Sequence, residues 1–217
     1  TLLIPTKQEA ESLPLVLEEL KNFECKKLIV LDKNDTETIN SIKKFDCEIL
    51  FQKNKGYGSA LIEGINKIET KYTCIFNADG SFDPKYLKQM LDECKLNLDF
   101  IFASRYSKDG GTEDDTFLTF IGNKIFTAIG NIFFKLKIDD ILYTFVMGKS
   151  KSFKSLNLKF FDFRFCVELP IKAIKKNYRM TSISSYERPR IAGKKKVNAI
   201  RDGFLILISM IKLFFDY

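Results

Sequence analysis

Five short apolar runs, residues 1–4, 27–32, 47–51, 72–76 and 98–104, close on polar or turn-forming residues and alternate with segments of helical length. That alternation constrains the chain more than any other feature. Runs that are apolar at nearly every position are buried on both faces, as strands of a parallel sheet are, and such a sheet needs a crossover helix between successive strands. The intervening segments supply them. Ser12 and Pro14 mark an early first turn, residues 36–44 carry Ile39 and Ile42, and residues 57–68 place Leu61, Ile65 and Ile68 on one face. Asp83-Pro84 predicts an N-cap and first-turn proline for a helix running to about Cys94. The expected fold is α/β, a mostly parallel sheet with helices on both faces and ligands at the carboxyl ends of its strands.

The second half reads differently. Residues 117–136 are apolar around most of a helix circumference, through Phe120, Ile121, Ile125, Phe126, Ile129, Ile132 and Phe133. This is either a buried helix or one that meets an acceptor lipid or a membrane surface. Residues 163–176 read as another helix and 180–186 as another strand. The apolar run 203–211, followed by Lys212 and Leu213-Phe214-Phe215, is shorter than the ~20 residues of a membrane span and suits an interfacial helix over 202–217, or the base of a membrane segment. With no internal repeat or Pro/Gly/Ser linker, a single domain over 1–217 is expected, with a nucleotide-fold candidate half at 1–105 and a second half at 106–201. The chain opens inside a strand-like run without an initiator Met or a secretory-type leader, as expected of a sequence trimmed at both ends.

Thirty-five Lys and Arg against 28 Asp and Glu give a net charge of +7, which favours an anionic partner: nucleotide, phospholipid, nucleic acid or phosphorylated substrate. Nucleic acid is disfavoured, because no aromatic-stacking or recognition-helix signature accompanies the charge. Histidine is absent, which excludes His-dependent triads, His-based zinc sites and imidazole acid–base chemistry. What remains is carboxylates, cations, hydroxyls, thiols or a metal held by oxygen. The five cysteines form no C-x-x-C pair, and Cys47, Cys74 and Cys166 sit in apolar runs, so reduced core cysteines of a cytosolic protein are expected.

Four segments carry candidate chemistry. Asn77-Ala78-Asp79-Gly80-Ser81 follows an apolar strand, where a carboxylate and a glycine turn suit Mg²⁺ or Mn²⁺ on a diphosphate. It is equally an Asx-rich turn capped by Asp83. Asp32 ends the second apolar run and suits hydrogen bonds from a base or ribose, or an ordinary turn. Lys55, Gly56 and Gly58 open a helix in a way that allows backbone approach to a phosphate, or form only a turn. Residues 186–201 hold Arg188, Arg190, Lys194, Lys195, Lys196 and Arg201 with the single acid Glu187: a solvated charged face, or a phosphate clamp ahead of an interfacial helix.

Taken in order, Ile4-Pro5-Thr6 with Glu9, Val30-Leu31-Asp32, Asn54-Lys55-Gly56-x-Gly58, Asn77-Ala78-Asp79, Ser104-Arg105-Tyr106 and Arg190-x-x-Gly193 with Lys196 resemble the family-2 glycosyltransferases of GT-A fold. The nearest subgroup is the dolichyl- or polyprenyl-phosphate mannose and glucose synthases with their bacterial polysaccharide relatives. The resemblance implies a metal-dependent hexosyltransferase that transfers a sugar, with inversion, from a UDP- or GDP-linked donor to a polyprenyl phosphate or a glycan or lipid-linked acceptor. It would serve cell-surface polysaccharide or glycolipid synthesis at the cytoplasmic face of the membrane. By the same resemblance Pro5, Thr6, Glu9, Asp32, Lys55, Gly56, Asn77 and Ala78 contact the nucleotide, and Asp79 with Asn77 holds Mg²⁺ or Mn²⁺. Arg105, Arg190, Lys195 and Lys196 face diphosphate or acceptor phosphate. Asp79, Arg105 and Asp140 are the expected catalytic residues. A phosphate acceptor needs no general base, whereas a hydroxyl acceptor would require one, with Asp139 or Asp140 as candidates. The chain departs from the family pattern at Lys33, Lys7-Gln8, Asn77 and Lys195, and it lacks the family's arginine after Gly110-Gly111. A catalytically weakened sugar-nucleotide-binding protein of the same fold is the alternative.

Overall fold

The computed structural model describes residues 1–193 and 199–215. Four parallel strands open the sheet: β1 (Leu2–Pro5), β2 (Lys27–Leu31), β3 (Glu48–Phe51) and β4 (Tyr72–Ile75). They are joined through α1 (Leu13–Glu19), α2 (Thr36–Ser41) and α3 (Tyr57–Lys67). α4 (Tyr86–Lys95) leads to β5 (Phe100–Ser104), and the full sheet has seven strands in the order β3-β2-β1-β4-β7-β5-β8. β7 (Val146–Lys149) is antiparallel to both its neighbours, while β8 (Met180–Ser184) runs parallel to β5. Two strands of the second half therefore complete a sheet begun by the first. A second ribbon pairs β6 (Gly111–Thr112) with β9 (Tyr186–Glu187). α5 (Phe117–Phe134), α6 (Ser150–Ser155), α7 (Phe165–Lys175) and α8 (Ala199–Phe215) complete the elements.

The inner strands β1, β2, β4 and β5 are largely apolar because each face meets a separate core, and their side chains alternate between the two. Leu3, Leu28, Val30, Ile75, Phe100 and Phe102 join one core, into which α3 and α7 pack. Leu2, Ile4, Ile29, Leu31, Cys74 and Ile101 join the other, with α1 and α4. β7 escapes a reading for apolar runs because it is four residues long and contains Gly148, where an added Cβ would lie 2.5 Å from the Asp99 carbonyl oxygen.

Three local expectations are corrected. α4 starts at Tyr86 rather than at Asp83-Pro84: the Asp83 carboxylate accepts the Lys85 N–H at 3.0 Å and closes a turn ahead of the helix. Cys47 precedes the half-exposed edge strand β3 and is only partly buried, whereas Cys94 on the inner face of α4 is buried with Cys74 and Cys166. All five are free thiols, and burial pushes those of Cys94 and Cys166 up to about 12, far from a reactive thiolate.

The third correction concerns α5, which is not a buried helix. Its buried residues are Asn123, Thr127 and Gly130, whereas Phe117, Ile125, Ile132 and Phe133 are 79%, 53%, 70% and 58% exposed. The polar stripe faces inward because it has partners there: Asn123 donates to Asp140, and Thr127 accepts the Ile141 N–H at 3.1 Å. α8 packs beside it through Phe214 against Phe133 and Phe134, burying Ile206, Met210 and Leu213 while Phe204, Ile211 and Phe215 face outward. Among the described residues, α5 is the one helix long and apolar enough to cross a membrane.

Candidate active site

Parallel pairing brings the carboxyl ends of β2, β1 and β4 side by side, and with them Asp32, Pro5-Thr6 and Asn77–Asp79. Asp32 Oδ1 accepts both the backbone and side-chain N–H of Asn34, at 2.9 and 3.0 Å, so one carboxylate oxygen forms the turn. Thr6 is buried, with its hydroxyl donating to the Ile4 carbonyl at 3.1 Å. Glu9, 8% exposed, accepts from the Ser12 hydroxyl at 2.7 Å. A cleft of about 170 Å³ separates residues 8–12 from Ala192 and Gly193.

Beside this cleft lies the Asp79 turn. Its Oδ1 accepts the backbone N–H and the hydroxyl of Ser81, at 3.0 and 2.8 Å. Asn77 donates to the same hydroxyl at 3.3 Å, while Ala78 is buried in the core. Gly80 adopts φ +83°, and a Cβ there would meet Ile191 Cδ1 at 2.4 Å. Beneath the turn Phe82 stacks on Phe145 and meets Phe76 edge-on, with centroids 4.6 and 5.8 Å apart. Above it runs the segment after β9: the Ile191 N–H donates to the Asp79 carbonyl at 2.8 Å, and Arg190 Nη1 stands 3.6 Å from Asp79 Oδ2. The rest of the Arg190 fork grips Asp114, Nε to Oδ1 at 3.1 Å and Nη2 to Oδ2 at 2.8 Å. Those hydrogen bonds, against the effect of burial, hold the guanidinium above its ordinary pKa.

No three acidic or thiol side chains cluster as a metal site among the described residues. The donors here are two, the Asp79 carboxylate and the Asn77 amide. That set fits Mg²⁺ or Mn²⁺, which commonly take one or two protein oxygens and complete their shells from substrate phosphate and water.

A family model, "Glycosyl transferase family 2", matches residues 1–156. The chain belongs to this family. Glycosyltransferase AglJ of Haloferax volcanii is 23% identical over 212 residues, covering 96% of this chain and 70% of that protein. An uncharacterized glycosyltransferase of Mycobacterium bovis is 25% identical, covering 96% and 94%. Among solved structures, glucosyl-3-phosphoglycerate synthase of Mycobacterium tuberculosis in complex with UDP superposes with a TM-score of 0.74 at 9% identity, over 97% of this chain and 78% of that one. Mannosyl-3-phosphoglycerate synthase of Rubrobacter xylanophilus gives 0.71 at 15%, over 97% and 70%. The fold of this family-2 glycosyltransferase is GT-A.

Other expected site residues of the transferase are placed otherwise than the motifs suggest. A Cβ on Gly56 or Gly58 would fall 2.0 Å from the Phe161 carbonyl oxygen or 2.1 Å from that of Phe160. These glycines therefore admit close packing of another stretch of backbone, fixed further by the Ser59 N–H on the Phe161 carbonyl at 3.0 Å, and Lys55 beside them is exposed. Arg105 is not an open phosphate grip. Its Nε and Nη2 donate to the two Asp140 oxygens at 2.8 and 3.0 Å, its Nη1 to Glu187 at 3.1 Å, and its face lies over Tyr106 and Tyr143. Burial disfavours its charge, but Asp140 and Glu187 outweigh that and hold its pKa well above the usual value.

Asp140, expected as a catalytic residue or base, lies inside the fold rather than open to the cleft. Its side chain is 0% exposed, and its two oxygens also accept from Asn123 and the Arg105 N–H. Asp139 is exposed. Lys194, Lys195 and Lys196 lie outside the described residues. Sequence reasoning missed Asp114, and it counted Arg188 only among the cations of a charged face or phosphate clamp over 186–201. Arg188 in fact pins the Asp79 turn through the Gly80 and Phe82 carbonyls, at 3.1 and 2.9 Å, while forking onto Glu19 at 2.7 and 2.9 Å.

Proposed function

We propose that this glycosyltransferase moves a sugar, with inversion, from a UDP- or GDP-linked nucleotide-diphospho-sugar to a polyprenyl phosphate or a glycan acceptor at the cytoplasmic membrane surface. The observation that carries the donor half of this reading is the Asp79 turn, set at the carboxyl end of β4 beside Glu9 and Asp32 and faced by Arg190. The structural neighbours support it: glucosyl-3-phosphoglycerate synthase has been captured with Mn²⁺ and UDP-glucose. In this reading Asp79, with the Asn77 amide oxygen, holds a divalent ion, which supplies neutralisation of the charge that develops on the leaving diphosphate. Arg190 grips phosphate oxygens through its planar fork. The second oxygen of Asp32 accepts from base or ribose. An acceptor phosphate enters as an anion, so no side chain needs to take a proton from it.

The lipid half of the reading rests on the outward faces of α5 and α8. Phe117, Ile125, Ile132 and Phe133 on α5 and Phe204, Ile211 and Phe215 on α8 are exposed, and exposed Lys124, Lys135 and Lys212 accompany them, which suits anionic headgroups. Replacing Ile125, Ile132 and Phe215 by Ser is expected to change stability by no more than about 0.5 kcal/mol per substitution, since these side chains are solvent-exposed, while reducing co-flotation with anionic liposomes. Unchanged flotation would remove membrane docking by this face.

The reaction itself is tested by nucleoside-diphosphate release from UDP- and GDP-sugars with Mn²⁺ or Mg²⁺. Undecaprenyl phosphate, 3-phosphoglycerate or no acceptor is supplied, beside an Asp79→Ala control. Release that depends on Asp79 and on the polyprenyl phosphate is the expected result. Release with 3-phosphoglycerate alone would replace the lipid by a small phosphorylated acceptor. Nucleotide binding without turnover under any condition would favour the weakened, binding-only alternative suggested by Asn77 and Lys33.

A further inference from the structure

Arg190 stands between two carboxylates that come from different parts of the chain. Asp114 lies in the loop between β6 and α5 and holds the guanidinium by two hydrogen bonds, whereas Asp79 lies at the end of β4 with Oδ2 3.6 Å from Arg190 Nη1. The contact with Asp79 is looser than the contact with Asp114, yet it is directed at the oxygen that Ser81 leaves available. The backbone next to Arg190 is fixed, because the Ile191 N–H bonds to the Asp79 carbonyl at 2.8 Å and the Ile191 side chain lies on Gly80. All three side chains are sheltered, with 22%, 15% and 14% of Arg190, Asp79 and Asp114 exposed, so solvent screens their charges only in part.

A divalent ion seated on Asp79 Oδ2 therefore meets a guanidinium already directed at the same oxygen, and the two like charges oppose each other. We propose that Arg190 competes with the divalent ion for Asp79, and that Asp114 is a positioning residue that draws the guanidinium aside. The ion is then bound well only in company with the anionic diphosphate of the nucleotide. A diphosphate reverses the repulsion, since it offers oxygens to both cations at once. Ion and nucleotide consequently raise each other's affinity by the same factor, as linkage requires. This inference rests on the reading of Asp79 as the ion-binding carboxylate, and it deepens that reading by making ion uptake conditional on the donor.

The test measures Mn²⁺ binding to the full chain by the loss of the free-ion electron paramagnetic resonance signal beyond that in matched protein-free samples, with and without UDP or GDP, which chelate Mn²⁺ themselves, and with no sugar or acceptor present. The wild type is expected to bind Mn²⁺ weakly alone and about tenfold or more tightly with nucleotide, within the usual range of coupling between sites. Arg190→Gln should bind Mn²⁺ alone about tenfold more tightly than the wild type and show a smaller nucleotide effect, because the repulsion is gone while the direct attraction between ion and diphosphate remains. Arg190→Lys keeps the charge while losing the fork, and should bind Mn²⁺ without nucleotide more weakly than Arg190→Gln does, which separates loss of charge from a fold defect. Asp114→Asn should weaken Mn²⁺ binding, and that loss should vanish in the Arg190→Gln background, because Asp114 acts through Arg190. Equal Mn²⁺ affinity of wild type and Arg190→Gln without nucleotide would overturn the competition while leaving the donor site intact. A loss from Asp114→Asn that persists without Arg190 would overturn the positioning role. Wild-type protein that takes up neither Mn²⁺ nor nucleotide would overturn the reading of Asp79 itself, and this inference with it.

Discussion

Two aspartate–arginine pairs, Asp140–Arg105 and Asp79–Arg190, have opposite characters. Asp140 and Arg105 are closed on each other at 2.8 and 3.0 Å, with the carboxylate fully buried and further occupied by Asn123 and a backbone N–H. Asp79 and Arg190 stand 3.6 Å apart and partly exposed, and the arginine's main hold is on a third residue, Asp114. A saturated pair fixes structure, because each group's partners are already present. A loose pair with a competing carboxylate leaves both groups able to exchange partners, which a binding site requires. Residue types are the same in both places, and only the number and closeness of the surrounding donors separates them.

Breaking each pair should show the contrast. Asp79→Ala is expected to lower nucleoside-diphosphate release on the order of 10²–10³-fold or more, the scale of removing one preorganised electrostatic contact at a reacting centre. It should change unfolding free energy by only about 1 kcal/mol, the net worth of the hydrogen bonds lost. Asp140→Ala should do the reverse, costing about 3–5 kcal/mol in denaturant unfolding because a buried guanidinium loses its principal partner. Replacing both partners together, Asp140→Leu with Arg105→Met, should recover only part of that loss, because buried Glu187 and Asn123 then lose their partners. Full stability in Asp140→Ala would end the distinction between the pairs.

Smaller effects sharpen it. Gly58→Ala should cost about 1–3 kcal/mol, the usual price of overpacking, because its Cβ would lie 2.1 Å from the Phe160 carbonyl oxygen. Nucleotide affinity should fall only as the loop shifts, since the glycine meets protein backbone rather than ligand. The smallest effect concerns Asp115 in the Arg105 cluster. Burial alone would raise its carboxyl, but hydrogen bonds from Thr119 and Tyr106 and the Arg105 charge hold it below the usual range. Its stabilisation is thus complete above the unfolded-chain value of about 3.9 and is lost as pH falls through the lower folded value. Asp115→Asn should flatten stability against pH below about pH 4, relative to that same unfolded reference. Glu187 acts in the opposite sense: burial, only partly offset by Arg105, raises its carboxyl, so its contribution declines as pH rises from the unfolded value through the folded one. An unchanged acid limb in Asp115→Asn would show that the cluster is tuned by other groups.

The strands of the first half were legible because each is apolar on both faces and ends at a turn, a local property of four or five residues. The residues at their ends, Asp32 and Asp79, could be picked out for the same reason. What could not be read depends on partners far along the chain. Arg105 meets Asp140 35 positions away and Glu187 82 away, so no local pattern distinguishes an open phosphate grip from a closed ion cluster. Asp114 and Arg190 are 76 positions apart. The orientation of α5 was hidden for a related reason: a helix apolar around most of its circumference has no periodicity to choose its inner face. The choice falls to Asn123 and Thr127, which find partners at Asp140 and Ile141.

That inverted helix has a practical consequence. Because hydrogen bonds from Asn123 and Thr127 help to anchor α5 beside the packing of Phe126, Ile129 and Phe134, exchanging Asn123 for leucine would improve its helix propensity and still work against the fold, by leaving Asp140 short of a donor. The oily side meanwhile stays turned to solvent whenever no lipid covers it. During purification the protein should therefore self-associate with rising concentration and adsorb to hydrophobic resin, and mild detergent should restore a uniform particle size without altering its secondary structure.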